Sequence, residues 1–136
     1  MLNMLVLSNN AVLQRLMRDL IARWIPESRL LAAADRASAL EINANVQPDI
    51  VFLEMSMPTR SGLRFVQDMK TANGDGSMLV LFNYPFLQSF DAHIPKGITG
   101  YFDIGSDAFV DDIHRCIVYT AERKIFEKSR GSQTRS

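Results

Sequence analysis

The sequence predicts one α/β domain, a doubly wound and mostly parallel sheet with helices on both faces. Three observations carry that prediction. Short continuous apolar runs alternate with stretches of helical periodicity along the whole chain. The runs are apolar at consecutive positions, so each strand needs cover on both faces, which favours parallel strands between two helix layers. The 136 residues are 47% hydrophobic and 22% charged, with 7 Gly and 5 Pro. That suits a single core and excludes disordered, collagen-like and low-complexity classes.

The elements follow in order. Residues 4–7 form a brief apolar strand that ends in the polar loop Ser8, Asn9, Asn10. Leu13, Leu16, Met17, Leu20, Ile21 and Trp24 recur at helical spacing, and Pro26 stops that helix. Residues 30–34 read as a weaker strand, and Ala37, Leu40 and Ala44 mark a short helix that Pro48 ends. Residues 50–53 are the clearest strand, followed by a helix through Leu63, Val66 and Met69 and a turn at residues 73–76. A strand over 78–82, a helix over 86–94 and a strand over 99–102 come next. Pro95 and Gly97 predict that the helix before them is short or distorted. Ser106 or Asp107 caps a last helix with the stripe Phe109, Ile113, Cys116 and Ile117. Five strands and five helices result.

Charge and cysteine content narrow the function. Fifteen basic residues balance fifteen acidic ones, so no excess of positive charge points to nucleic acid or membrane. The single Cys116 forms no intrachain disulfide, which implies a reducing, cytoplasmic setting. The apolar runs fall far short of the roughly 18 residues that span a bilayer. Residues 1–10 lack a basic start and a small-residue cleavage site, so no signal peptide is expected. In open α/β sheets, sites lie beyond the carboxyl ends of the strands. That rule selects Ser8, Asn9 and Asn10, then Glu54, Phe82 and Ile104.

Residues 48–58 read Pro-Asp-Ile-Val-Phe-Leu-Glu-Met-Ser-Met-Pro, and Ser61, Gly62 and Leu63 follow. Residues 79–84 (Leu-Val-Leu-Phe-Asn-Tyr) and 97–104 (Gly-Ile-Thr-Gly-Tyr-Phe-Asp-Ile) complete a pattern in a definite order. Over about residues 3–120 this pattern resembles the receiver domain of two-component response regulators. The resemblance implies a flavodoxin-like sheet in the order 2-1-3-4-5, with a receiver-like domain over residues 1–122. Residues 123–136 would then end the last helix near Glu127 and fray into a basic, disordered tail.

A working receiver needs an acidic pair after its first strand and a phosphoacceptor Asp after its third. It also has a Ser or Thr after the fourth and a Lys after the fifth. Carboxylates hold Mg²⁺, and the metal and the Lys offset the phosphoryl charge. Here Ser8 and Asn9, or Asn9 and Asn10, stand for the acidic pair, and Glu54 for the Asp. Phe82 replaces the hydroxyl residue and Ile104 the Lys. The expectation is therefore a vestigial, sealed pocket with no metal, no cofactor and no catalysis, in which Ser8 and Asn9 donate to Glu54. Glu54 carries its carboxylate about 1.5 Å further than Asp would. Permanent mimicry of the phosphorylated state and a mere remnant both remain open.

Tyr84, Phe86, Phe90, Tyr101 and Phe102 cluster where the resembled family docks partners, so they form the expected interaction and switch face. His93 and His114 lack neighbours at ligand spacing, and Cys116 reads as a small buried hydrophobe. The expected function is a stand-alone atypical receiver that signals by protein contact without phosphorylation. Its partner would be a histidine kinase, another response regulator, a downstream effector or a second copy. Two alternatives are a phosphoacceptor using Ser8, Ser56 or Asp103, and a small-molecule site in the strand-end cleft.

Overall fold

A computed structural model describes residues 1–55, 60–83 and 97–134, with side chains up to Arg130. Five parallel strands, β1 (Leu2–Leu7), β2 (Ser28–Ala33), β3 (Ile50–Met55), β4 (Ser77–Phe82) and β5 (Ile98–Asp103), form one sheet in the order β2-β1-β3-β4-β5. This is the flavodoxin-like arrangement that the receiver resemblance implies. The described residues hold four helices: α1 (Ala11–Trp24), α2 (Arg36–Val46), α3 (Arg60–Asn73) and α4 (Phe109–Thr134). The remaining expected helix, residues 86–94, lies outside the described residues.

Strand alternation sorts the core into two halves. Leu2, Met4 and Val6 of β1, Ile50 and Phe52 of β3, and Leu79 and Leu81 of β4 pack under α1 and α4. Leu5, Leu7, Val51, Leu53, Met55, Met78, Val80 and Phe82 face α2 and α3. Both faces of the three central strands are thus buried, which is why their sequences read as continuous apolar runs.

Local chemistry sets the helix ends. Asn10 caps α1, its Oδ1 accepting from the backbone N–H of Val12 at 2.9 Å and of Leu13 at 3.3 Å. The helix buries Leu13, Met17 and Ile21 and stops ahead of Pro26. Asp35 caps α2 through the Ser38 N–H at 2.7 Å, and Gln47 closes that helix in the left-handed region at φ 52°. Ser106 Oγ accepts from the Ala108 N–H ahead of α4, as expected of a cap at that turn.

Two expectations change. The buried face of α2 is Ala39 and Asn43, not Ala37, Leu40 and Ala44. The small Ala39 lets the helix approach the sheet, and Asn43 Nδ2 donates to the Met69 carbonyl of α3 at 3.2 Å. The last helix also continues to Thr134, past the point near Glu127 where fraying was expected. Two lysines tie this helix to distant segments. Lys124 Nζ donates to the Asp75 carbonyl, and Lys128 Nζ donates to the Met1 carbonyl at 3.0 Å and to Asp49 Oδ2 at 2.9 Å. None of the described helices is long and apolar enough to cross a membrane.

Candidate functional site

The register of β1 on β3 builds the centre of the site. Val6 pairs with Phe52 and Leu7 with Leu53, so the next step sets Ser8 level with Glu54. Both follow the side-chain alternation of Val6 and Phe52, so they emerge on the same side of the sheet. The Ser8 N–H donates to the Ala33 carbonyl at 3.0 Å, which fixes the end of β1 against β2.

Ser8 is 2% exposed, and its hydroxyl donates to Glu54 Oε1 at 2.6 Å. The same oxygen accepts from the Asn10 N–H at 3.0 Å. A hydroxyl has one proton, and the Asn10 carbonyl at 3.4 Å is the poorer acceptor, so the proton lies toward Glu54. A separation of 2.6 Å is in the range of charge-assisted O–H···O⁻ bonds. The expected direct bond from Ser8 to Glu54 is therefore present, whereas the one expected from Asn9, which is exposed, is not found among the described residues. Asn10 instead spends its side chain capping α1.

Around this pair lies a cavity of about 430 Å³ at the ends of β1, β2 and β3. Ser8, Asn9 and Glu54 line it, and so do Asp35, the N-cap of α2, and Arg36, the first residue of that helix. Asp35 and Arg36 thus bring a second carboxylate and a cation to the cavity that holds Glu54. The cavity is also not sealed, because Asn9, Ala34, Asp35 and Arg36 at its edge are exposed. The strand-end rule applied to β2 would have found Asp35 and Arg36, since they directly follow Ala33 and Ala34. The Ser38 backbone N–H bonded to Asp35 holds its carboxyl below the ordinary Asp range. The Arg36 guanidinium lies 5.3 Å from the centre of the Phe65 ring, a cation–π contact at the cavity wall.

Phe82 and Ile104 do not join this site. Phe82 is fully buried in the α2–α3 half of the core, on the opposite side from Leu81, the β4 residue in register with Glu54. Ile104 packs against the α1–α4 half, and its N–H donates to the Phe82 carbonyl at 2.7 Å. Position along the chain placed both at strand ends, but side-chain alternation turns Phe82 away. Tyr101 and Phe102 likewise part company, Tyr101 packing against the α2–α3 half of the core and Phe102 against the α1–α4 half. As neighbours on one strand they point to opposite faces. Tyr84, Phe86, Phe90 and His93, with Pro95 and Ser56, lie outside the described residues. Exposed Tyr119 and Phe126 on α4 were not singled out by the sequence.

His114 is exposed and its ring meets Trp24 at 4.5 Å between centroids. Cys116 is half-buried against the α1–α4 core, and that burial pushes its thiol pKa up. Among the described residues, no group of three or more His, Cys, Asp or Glu side chains stands close enough to share a metal ion.

No protein-family model matches the sequence, and no curated protein matches it. Solved structures do. A response regulator receiver domain protein from Clostridium thermocellum aligns with a TM-score of 0.73 at 19% identity, over 93% of this chain and 98% of that one. The signal receiver domain of an HD domain-containing protein from Pseudomonas fluorescens gives a TM-score of 0.73 at 19% identity, over 90% and 95%. A pilus assembly protein CpaE from Caulobacter crescentus gives 0.71 at 11% identity, over 87% and 92%. The chain has the receiver-domain fold.

Proposed function

We propose that this chain is a cytoplasmic, non-enzymatic receiver-like module of two-component signalling that acts by protein contact and carries no phosphoryl group. The Ser8–Glu54 hydrogen bond at 2.6 Å is the observation that carries this reading. In the receiver layout the acidic pair and the phosphoacceptor meet at this point and bind Mg²⁺ between them. Here a hydroxyl occupies one side, and the one carboxylate opposite it is engaged. Attack on a phosphoryl donor would need Glu54 freed from Ser8 and the donor's charge offset by a cation. The receiver fold supports a protein partner, namely a histidine kinase, another response regulator, a downstream effector or a second copy of this chain. The same fold in a protein named for pilus assembly agrees with a role exercised through contact.

Incubation with acetyl phosphate and Mg²⁺, followed by intact-mass measurement, tests the reading. The expected result is an unchanged mass for the wild type and for Glu54→Asp. A stoichiometric phosphoryl adduct on the wild type overturns it and returns the chain to the phosphoacceptor class.

A further inference from the structure

We propose that the cavity at the ends of β1, β2 and β3 binds a small zwitterion, an α-amino acid, with Arg36 holding its carboxylate and Glu54 its ammonium. Two opposite charges line one space of about 430 Å³, yet among the described residues they form no ion pair with each other. Each has its own anchor. Ser8 holds Glu54 by Oε1, and the Phe65 ring backs the Arg36 guanidinium at 5.3 Å. Glu54 Oε2 has no described partner, and the edge N–H groups of a stacked guanidinium stay free for a carboxylate fork.

Charge decides the ligand class. A simple anion entering the cavity meets Arg36 but also the carboxylates of Glu54 and Asp35. A simple cation meets both carboxylates but also Arg36. A molecule carrying both signs gains from each group and brings no net charge into the space. Leu53, Met55 and Phe65 on the cavity wall offer an apolar surface to a side chain. The volume lies toward the lower part of the roughly 300–1,000 Å³ range of small-molecule sites. Bound there, the ligand occupies the position that a phosphoryl group takes in a receiver and becomes the signal that the partner reads.

This inference rests on the reading of Glu54 as free of phosphoryl. The test is calorimetric titration of the full chain, its unmodified mass verified beforehand, with each proteinogenic α-amino acid. At least one is expected to give saturable, stoichiometric heat. Its N-acetyl derivative and its decarboxylated amine should each bind about tenfold more weakly or worse. Arg36→Gln and Glu54→Gln should each weaken the parent ligand to a similar degree; Arg36 is exposed, and the Gln at 54 keeps an acceptor for Ser8. No heat from any amino acid overturns the inference. So does binding that survives both substitutions, or derivatives that bind as well as the parent. A phosphoryl adduct in the mass experiment overturns the earlier reading instead, and the titration on unmodified protein is judged separately.

Discussion

Lys128 and Asp49 are joined across 79 positions of sequence: the ammonium of the last helix stands 2.9 Å from Asp49 Oδ2, on the loop that enters β3. The same carboxylate oxygen accepts the Asn3 N–H at 2.9 Å, so one Asp links α4, β1 and the start of β3. This contact lies at the opposite end of the sheet from the cavity.

The two partners contribute unequally. The Lys128 side chain is 48% exposed and that of Asp49 15%. Lys128→Ala should therefore cost no more than about 1 kcal/mol. Asp49→Ala also strands the Asn3 N–H and should cost about 1–3 kcal/mol. Urea unfolding midpoints of the two variants measure this; equal losses would mean that the Asn3 bond adds nothing.

Ser8→Ala removes the donor to Glu54 and the acceptor for the Asn10 N–H at a buried position. A loss of about 1–3 kcal/mol is expected. In a Glu54→Leu background the same substitution should cost less, because the carboxylate that Ser8 satisfied is gone. A double-mutant cycle by denaturation gives the coupling, and strict additivity would refute a net contribution from the bond.

Phe82→Thr restores a hydroxyl at the position the receiver pattern calls for, but the side chain lies in the α2–α3 core. The expected result is a loss of about 3–4 kcal/mol from the cavity created, with no gain of phosphorylation from acetyl phosphate. A stable variant that accepts phosphoryl would show that the Phe82 side chain can turn toward Glu54.

Asp35 predicts a pH signature. Its carboxyl is held below the ordinary Asp value of about 3.9 by the Ser38 N–H. The folded pKa is depressed, so the stabilisation is present above the unfolded value and lost as pH falls through the folded one. Asp35→Asn keeps a capping oxygen without the charge. Its melting temperature should lie below the wild type's at neutral pH, and the gap should close on acidification through that window. A gap that stays constant to the most acidic pH at which both proteins fold would assign the difference to cap geometry rather than to charge.

Much of this protein is determined by local sequence. Continuous apolar runs at residues 50–53 and 78–82 identify buried parallel strands, because cover on both faces leaves no polar alternation. The stripe Leu13, Met17 and Ile21 identifies α1. Receiver-like spacing led to Ser8 and Glu54 as neighbours, because β1 and β3 sit side by side in that sheet order. Tertiary structure decided what spacing along the chain does not encode. The junction of β2 and α2 carries Asp35 and Arg36 into the cavity because β2 pairs with β1, a contact between distant segments. Alternation along β4 and β5 sends Phe82 and Tyr101 to one half of the core and Phe102 to the other. A weakly amphipathic α2 takes its buried face from the sheet and α3 that it packs against, which is why Ala39 and Asn43 are inside. The last helix is tied at Lys124 and Lys128 to acceptors far away in sequence. Local patterning therefore specifies the elements and one pair at the site, whereas the charges around that pair are assembled only when separate strands are brought together.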